Sequence, residues 1–136
     1  KDVLSSSAHK YGIWWHEQML EANDSITFVR HLIDSTFSQT HGLAFQDMND
    51  DGLPDLITGK RFYGHLGKDP GGKDPQVIYW YEMKRGTDKK PYWIPHLIDE
   101  NSGIGLQVII EDMNDDQKPD ILISNKKGIF YFENQI

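Results

Sequence analysis

Two acidic stretches of this chain place oxygen-bearing side chains at the spacing of a cation-binding loop. The first, DMNDDGLPD at 47–55, has such side chains at positions 1, 3, 5 and 9. These residues are Asp47, Asn49, Asp51 and Asp55. Leu53 at position 7 would add a main-chain carbonyl, and Gly52 permits the sharp turn. Hard oxygen ligands at alternate positions are what Ca²⁺ takes in proteins, so we expect a calcium site that offsets the repulsion between the carboxylates.

The second stretch, DMNDDQKPD at 112–120, predicts a second calcium ion with one local difference. Its expected ligands are Asp112, Asn114, Asp116 and Asp120, together with the main-chain carbonyl of Lys118. Gln117 stands where the first loop has Gly52, so a left-handed backbone there would carry strain and weaken this site. Neither loop is an EF-hand, because position 12 of the first is Thr58 rather than Glu. An Asx-rich turn without metal, or another hard cation, remains an alternative.

The acidic loops belong to a longer internal repeat. They begin 65 residues apart, and the word HLID recurs with the same offset, at 31–34 and 96–99. An aromatic run follows each loop, at 77–83 and 128–134, and residues 2–18 read like the later part of the same unit. Two unrelated words with one period predict a repeat architecture.

The repeated pieces read as short strands, because they are β-branched, aromatic and bounded by Gly, Pro, Asn and Asp. In the complete unit we expect strands near 42–47, 55–61, 77–83 and 92–98. Residues 14–23 could also form a helix, but their register with the other aromatic runs favours a strand. Four antiparallel strands per unit predict an all-β chain of β-propeller blades.

About two and a half blades fit in the single predicted domain, 1–136. They are a partial blade at 1–40, a full blade at 41–100 and a partial blade at 101–136. Open ends would leave apolar faces and strand edges exposed. We therefore expect the remaining blades to come from a parent propeller or from a homo-oligomer. A flat stack of three sheets is the alternative.

The pattern D-x-N-x-D-G-x-x-D between the first two strands of a unit resembles the FG-GAP/VCBS repeat of integrin-type and bacterial secreted propellers. The resemblance covers nearly the whole chain and rests on the calcium loops and the strand order. It implies a propeller with calcium in these loops and an extracellular or periplasmic location. It indicates an architecture rather than an activity.

Composition narrows the classes of partner. The formal charge of −7 argues against nucleic acid and fits a protein that carries bound cations. The absence of cysteine excludes disulfides and Cys-ligated zinc or iron–sulfur sites. No apolar run approaches the length of a membrane span.

Basic and imidazole side chains gather in the loops at the end of the strands opposite to the acidic loops. The expected ligand-binding residues are His9, His41, Lys60, Arg61, His65 and Lys126. The longest loop, 61–75, lies at the same end, and we expect it to contribute to ligand recognition. Cations and aromatic rings there suit an anionic or polyhydroxylated ligand, such as a uronic-acid sugar. We expect His31 and His96, in the HLID words, to be structural.

Three functions fit this pattern. The first is a calcium-stabilised secreted module that binds carbohydrate. The second is a sugar lyase or dehydratase, since the chain is similar to propeller domains of proteins related to aldos-2-ulose dehydratases. His41 or His65 would then be the catalytic base, and Lys60 or Arg61 its electrostatic partner. The third is a protein–protein adhesion module. For this chain alone, a binding module is expected rather than an enzyme.

Overall fold

Ten strands form three antiparallel sheets of three, four and three strands in chain order, in a computed structural model that describes residues 1–136. The first sheet contains β1 (Val3–Ser6), β2 (Tyr11–Leu20) and β3 (Ile26–Ser38). The second contains β4 (Leu43–Gln46), β5 (Asp55–Gly59), β6 (Ile78–Arg85) and β7 (Pro91–Asp99). The third contains β8 (Val108–Glu111), β9 (Asp120–Asn125) and β10 (Gly128–Phe132). The predicted all-β class and grouping of strands are confirmed, and none of the three sheets is closed.

The ambiguous segment at 14–23 is a strand as far as Leu20. Trp15 of β2 pairs with His31 of β3, and Trp14 pairs with Leu32, so successive aromatic side chains point to opposite faces. This alternation suits a sheet and not a helix. The structure contains no helix with the length and apolarity needed to cross a membrane.

The middle sheet carries a hydrophobic core on each face. All five residues of β5 are buried. Leu56 packs with Ile13 of the first sheet, whereas Ile57 packs with Ile121 and Ile123 of the third. Burying a side chain of this size contributes about 1.5–3 kcal/mol, and neighbouring residues of β5 make this contribution to different cores. The central strand is therefore what joins the three sheets.

The second strand of the complete unit ends two residues earlier than the predicted end at residue 61. β5 stops at Gly59, and the next residues pair with the link into the third sheet instead. The main-chain N–H of Ile104 donates to the Lys60 carbonyl at 2.8 Å, and the N–H of Phe62 donates to the Ile104 carbonyl at 2.9 Å. This pairing fixes where the long loop leaves the middle sheet.

The outer faces of the first and third sheets remain uncovered. Leu32 and Phe28 are exposed on the first sheet, and Ile109, Ile129 and Tyr131 are exposed on the third. The relative exposure reaches 77% at Ile129. These faces have the apolar character that the sequence predicts for an unclosed set of sheets.

A partly buried hydrogen bond links the first and second sheets. The hydroxyl of Tyr81 on β6 donates to Oδ2 of Asp34 on β3 at 2.5 Å. Burial is the main reason that the pKa of Tyr81 lies far above its usual value, and the bond to Asp34 raises it further. Tyr81 therefore stays protonated and donates at every physiological pH.

Replacing Tyr81 with Phe should weaken the packing of the first sheet on the second. The variant leaves a carboxylate oxygen of Asp34 without its donor, so we expect the free energy of unfolding to fall by about 1–3 kcal/mol. Urea unfolding monitored by tryptophan fluorescence measures the change. Tyr79→Phe is the matched control, since no protein group hydrogen-bonds its hydroxyl, and should stay within about 0.5 kcal/mol of the parent. Equal losses in the two variants would contradict the assignment.

Candidate functional site

Three histidines from three separate connections meet at one end of the sheets. His9 lies between β1 and β2, His41 between β3 and β4, and His65 between β5 and β6. The ring of His9 stacks on that of His65 with centroids 4.6 Å apart, and meets that of His41 edge-on at 5.4 Å. The structure therefore places His41 and His65, both predicted ligand-binding residues, against the ring of His9.

Asp69 is the shared partner of two of these histidines. Its Oδ2 atom accepts hydrogen bonds from Nδ1 of His65 at 2.8 Å, Nδ1 of His9 at 3.3 Å and Nε2 of Gln39 at 3.1 Å. The bond from His65 is the main reason that the pKa of Asp69 lies below its usual value. Sequence reasoning missed Asp69. A His and an Asp four residues apart in the longest loop were the available signal.

A buried ammonium group supports this loop from beneath. Nζ of Lys60 donates to Oε1 of Gln39 at 2.7 Å and to the carbonyl of Gly71 at 2.6 Å. Burial lowers the pKa of Lys60, while Asp74 and Asp69 oppose the shift. Lys60 is 0% exposed, so it positions the loop rather than facing a ligand as the sequence analysis expected.

The loop carries unusual backbone strain around His65. Tyr63, His65 and Leu66 have φ of +50°, +46° and +58°, which is left-handed and normally favours glycine. Such residues cost of order 1–3 kcal/mol each and persist only where the surrounding structure enforces them. This backbone turns the imidazole of His65 onto Asp69.

Arg61 and His41 form the second half of the cluster. Nη1 of Arg61 donates to Nε2 of His41 at 3.2 Å. Burial lowers the pKa of His41, and the charges of Arg61 and His9 lower it further. The imidazole is therefore neutral near pH 7 and can accept the guanidinium hydrogen bond.

A cavity of about 330 Å³ lies beside Arg61, between the second and third sheets. Arg61 and Lys126 supply its cations, and Phe62 supplies an aromatic ring. Gln107 and Ser124 line the same cavity, and no protein group hydrogen-bonds their side chains. The sequence predicted the two cations. It missed the polar residues, because a Gln or Ser near a strand end is ordinary on a solvated surface.

The two acidic loops, at the other end of the strands, share one hydrogen-bond pattern. Asp47 accepts from the N–H groups of residues 51 and 52, at 3.1 and 2.7 Å. Asp112 accepts from residues 116 and 117 in the same way, at 3.1 and 2.8 Å. Asp51 and Asp116 each accept from the residue two positions later, Leu53 or Lys118. These are the bonds of an Asx-rich turn.

The sixth position of both loops has a left-handed backbone, as the sequence analysis anticipated. φ is +81° at Gly52 and +69° at Gln117. Glycine adopts this conformation freely, whereas glutamine does so at a cost. The second loop therefore contains local strain that the first avoids.

The ninth residue of each loop is buried and bonded to the main chain. Asp55 accepts from the N–H of Met83 at 2.8 Å and from that of Met48 at 3.1 Å. Asp120 makes the corresponding pair of bonds in the third sheet. The exposed Asp2, which directly precedes β1, accepts from the N–H of Gln18 at 3.0 Å in the first sheet. This aspartate ties the start of one strand to the far end of the next strand in the same sheet.

A glutamate that sequence reasoning missed completes each loop. Oε1 of Glu82 accepts from Nδ2 of Asn49 at 2.9 Å, and Glu133 accepts from Asn114 at 3.3 Å. Lys84 fills the first loop, with Nζ 2.6 Å from Glu82 and 2.9 Å from Oδ2 of Asp51. The second loop has Gln135 at the corresponding position, two residues after its glutamate. Only the first loop therefore contains a competing protein cation.

The HLID histidines have matching structural roles. His96 stacks on Trp80 with centroids 4.4 Å apart, and its Nε2 lies 3.0 Å from Oε2 of Glu82. His31 makes the same two contacts with Trp15 and Glu17. In both sheets, a histidine on the neighbouring strand therefore hydrogen-bonds the glutamate of the aromatic run.

Comparison with known proteins finds no matching family model, curated protein or solved structure. The resemblance to the FG-GAP/VCBS repeat accordingly remains an expectation from the sequence.

Replacing Lys60 with Met should loosen the long loop. The oxygens of Gln39 and Gly71 would lose a buried donor, so we expect the free energy of unfolding to fall by about 1–3 kcal/mol. Native-state cleavage by chymotrypsin within the loop, at Tyr63, should become faster. Lys68→Met removes an exposed lysine from the same loop and should leave both properties unchanged. Equal behaviour of the two variants would show that the buried ammonium does not hold the loop.

Proposed function

We propose that this chain is a calcium-stabilised segment of a secreted β-propeller that binds an anionic carbohydrate on its histidine-rich end. The single observation that carries this proposal is the cavity in which Arg61 and Lys126 face two polar side chains and an aromatic ring. Its volume of about 330 Å³ lies at the small end of the range for ligand pockets, which suits one or two sugar rings.

The cations of the cavity suit a carboxylate. A guanidinium group presents N–H donors in a planar fork that matches the two oxygens of a carboxylate. Arg61 uses one of these donors on His41, which fixes its orientation and leaves the others free. Lys126 donates to the carbonyl of Tyr63 and lies over the Tyr63 ring, so it is held at the rim as a second cation.

The other lining groups suit a polyhydroxylated ring. Gln107 and Ser124 can each donate to or accept from a sugar hydroxyl. The Nζ atom of Lys127 lies over one face of the Phe62 ring, 4.5 Å from its centroid, and the other face would offer an apolar surface to the C–H face of a sugar. A uronic acid combines the carboxylate that Arg61 fits with the hydroxyls that these residues fit.

The acidic loops support calcium binding by their charge and their shared geometry. The first already holds an ammonium group against Asp51 and Glu82, which indicates that this position favours a cation. The fifth-position aspartate of each loop is exposed, so a metal ion can reach it. A few exposed ligands suit the weak, roughly 0.1–1 mM sites of extracellular modules, which fits a secreted location.

The proposed propeller accounts for the uncovered sheets. Leu32 on the first sheet and Ile129 on the third would pack against further sheets of the same kind, from a parent propeller or from other copies of the chain. The loops at each end would then surround a common axis, with the histidine-rich end as the binding face.

A sugar lyase is the second candidate, and one contact favours it. Arg61 would hold a substrate carboxylate beside His41, whose Nε2 lone pair now accepts from that guanidinium. If the carboxylate drew Arg61 away, the imidazole could take the proton from C5, the carbon next to the carboxylate. The C4–O bond would then break as the C4=C5 double bond forms, and the departing oxygen would take a proton from solvent. Absorbance of an unsaturated uronate product would detect this reaction. Activity that survives both His41→Ala and His65→Ala would exclude these residues as the base.

Arg61→Gln should weaken binding of oligogalacturonate by at least about tenfold, or about 1.4 kcal/mol, in titration calorimetry. The physical reason is the loss of the bidentate carboxylate contact. Arg85→Gln is the matched control, because Arg85 lies at the opposite end of the same sheet, and should bind like the parent. Uncharged galactose oligomers should bind more weakly than the acid. Absence of binding to any sugar on a glycan array would leave a protein–protein adhesion module as the surviving function.

Lys84→Gln should strengthen calcium binding at one of two sites. The change removes the ammonium that competes for Asp51 and Glu82 and copies Gln135 of the second loop. Because an exposed ion pair is weak, we expect only a modest increase in affinity, of up to about fivefold, measured by calorimetry. Lys73→Gln makes the same charge change at the other end and should have no effect. Absence of calcium binding in all three proteins would show that the loops are Asx turns without metal.

A further inference from the structure

We infer that His9, His65 and Asp69 form a binding site for a divalent transition-metal ion of the zinc type, distinct from the acidic loops. Each residue offers one ligand atom, and the three atoms lie within 4.8 Å of one another. They come from two loops that belong to different sheets. The site therefore depends on the assembled fold and not on a local sequence motif.

The spacing of the ligand atoms fits a coordination polyhedron. Oδ2 of Asp69 lies 2.8 Å from Nδ1 of His65 and 3.3 Å from Nδ1 of His9. With metal–ligand distances of about 2.0–2.1 Å, adjacent ligands of one ion are separated by about 2.8–3.4 Å. In the free protein the same separations are hydrogen bonds, so an ion would take the place of the two Nδ1 protons with little movement of the side chains, and each ring would keep one proton on Nε2.

The donor set selects the kind of metal. Two imidazoles and one carboxylate suit Zn²⁺ and its neighbours, whereas Ca²⁺ prefers oxygen ligands alone. Three protein ligands leave at least one coordination position for water or for another molecule. The two ends of the chain would thus hold chemically different ions.

The carboxylate is held in place by buried groups that do not depend on the histidines. The amide of Gln39 donates to Oδ2 of Asp69 at 3.1 Å, while its oxygen accepts from Lys60 at 2.7 Å. Gln39 and Lys60 are 1% and 0% exposed. Partners that orient a ligand in this way are typical of metal sites.

The ligands themselves are open to solvent. About half of the side-chain surface of His9 and of His65 is accessible, and 18% of that of Asp69. The strained backbone at His65 keeps its ring against the carboxylate. His41 is not a ligand, because its Nε2 accepts from Arg61. An ion could therefore enter from solvent without a rearrangement of the core.

Titration of the untagged, calcium-saturated chain with Zn²⁺, and with Co²⁺ monitored by visible absorption, tests this site. We expect one zinc ion per chain and a Co²⁺ spectrum with nitrogen ligation. His9→Gln, His65→Gln and Asp69→Asn should each lower the affinity at least about tenfold. His96→Gln, which removes a histidine paired with a single carboxylate, should bind as the parent does.

Three outcomes would overturn the site. These are absence of Zn²⁺ binding by the parent, full affinity in both His9→Gln and His65→Gln, and an equal loss in His96→Gln. If Asp69→Asn fails to fold, as judged by urea unfolding, the exposed His9→Gln variant still decides the question. Oligogalacturonate binding measured without zinc tests the cavity beside Arg61 separately, so failure of one site is distinguishable from failure of the other.

Discussion

Burial of β5 on both faces is the constraint on which the rest of the structure depends. Leu56 belongs to the core with the first sheet and Ile57 to the core with the third, so a single five-residue strand fixes the order of the three sheets. The main chains of β5 and of the segment before β6 must also approach each other closely, because a Cβ atom on Gly59 would lie 2.3 Å from the carbonyl oxygen of Val77. Because every loop is anchored to these sheets, the packing around β5 decides which loops meet.

Each end of this buried strand carries a buried charge without a directly bonded charged partner. Asp55 begins β5 and is satisfied by main-chain N–H groups. Lys60 follows β5 and is satisfied chiefly by the oxygens of Gln39 and Gly71. A buried charge is tolerated only when hydrogen bonds replace its water, so each residue forces the surrounding loops into a defined conformation. The carboxylate organises an acidic loop, and the ammonium organises the loop that holds Asp69.

The sequence predicted what is repeated and missed what depends on one unrepeated loop. Two words with one period were enough to place the strands and to make the two acidic loops equivalent. Asp69 lies outside the repeat, and its position depends on left-handed residues such as His65. Because His65 is neither Gly nor Asn, the sequence gives no sign of this backbone conformation. Burial of Lys60 could not be predicted from the sequence either, because a lysine after a strand is normally solvated. Glu82 recurs as Glu17 and Glu133, but a glutamate in a strand reads as part of a polar face.

The opposite chemistry of the two ends reconciles the net charge with the proposed anionic ligand. The acidic loops and the cavity beside Arg61 lie at opposite ends of β5, whose five residues span roughly 16 Å. That is about two Debye lengths at physiological ionic strength, so the distant carboxylates are largely screened and the nearby cations dominate. A small uronate would experience only the local cations. A long polyanion would extend towards the acidic loops and be repelled, so the same charge distribution suits the short anionic ligand that we propose.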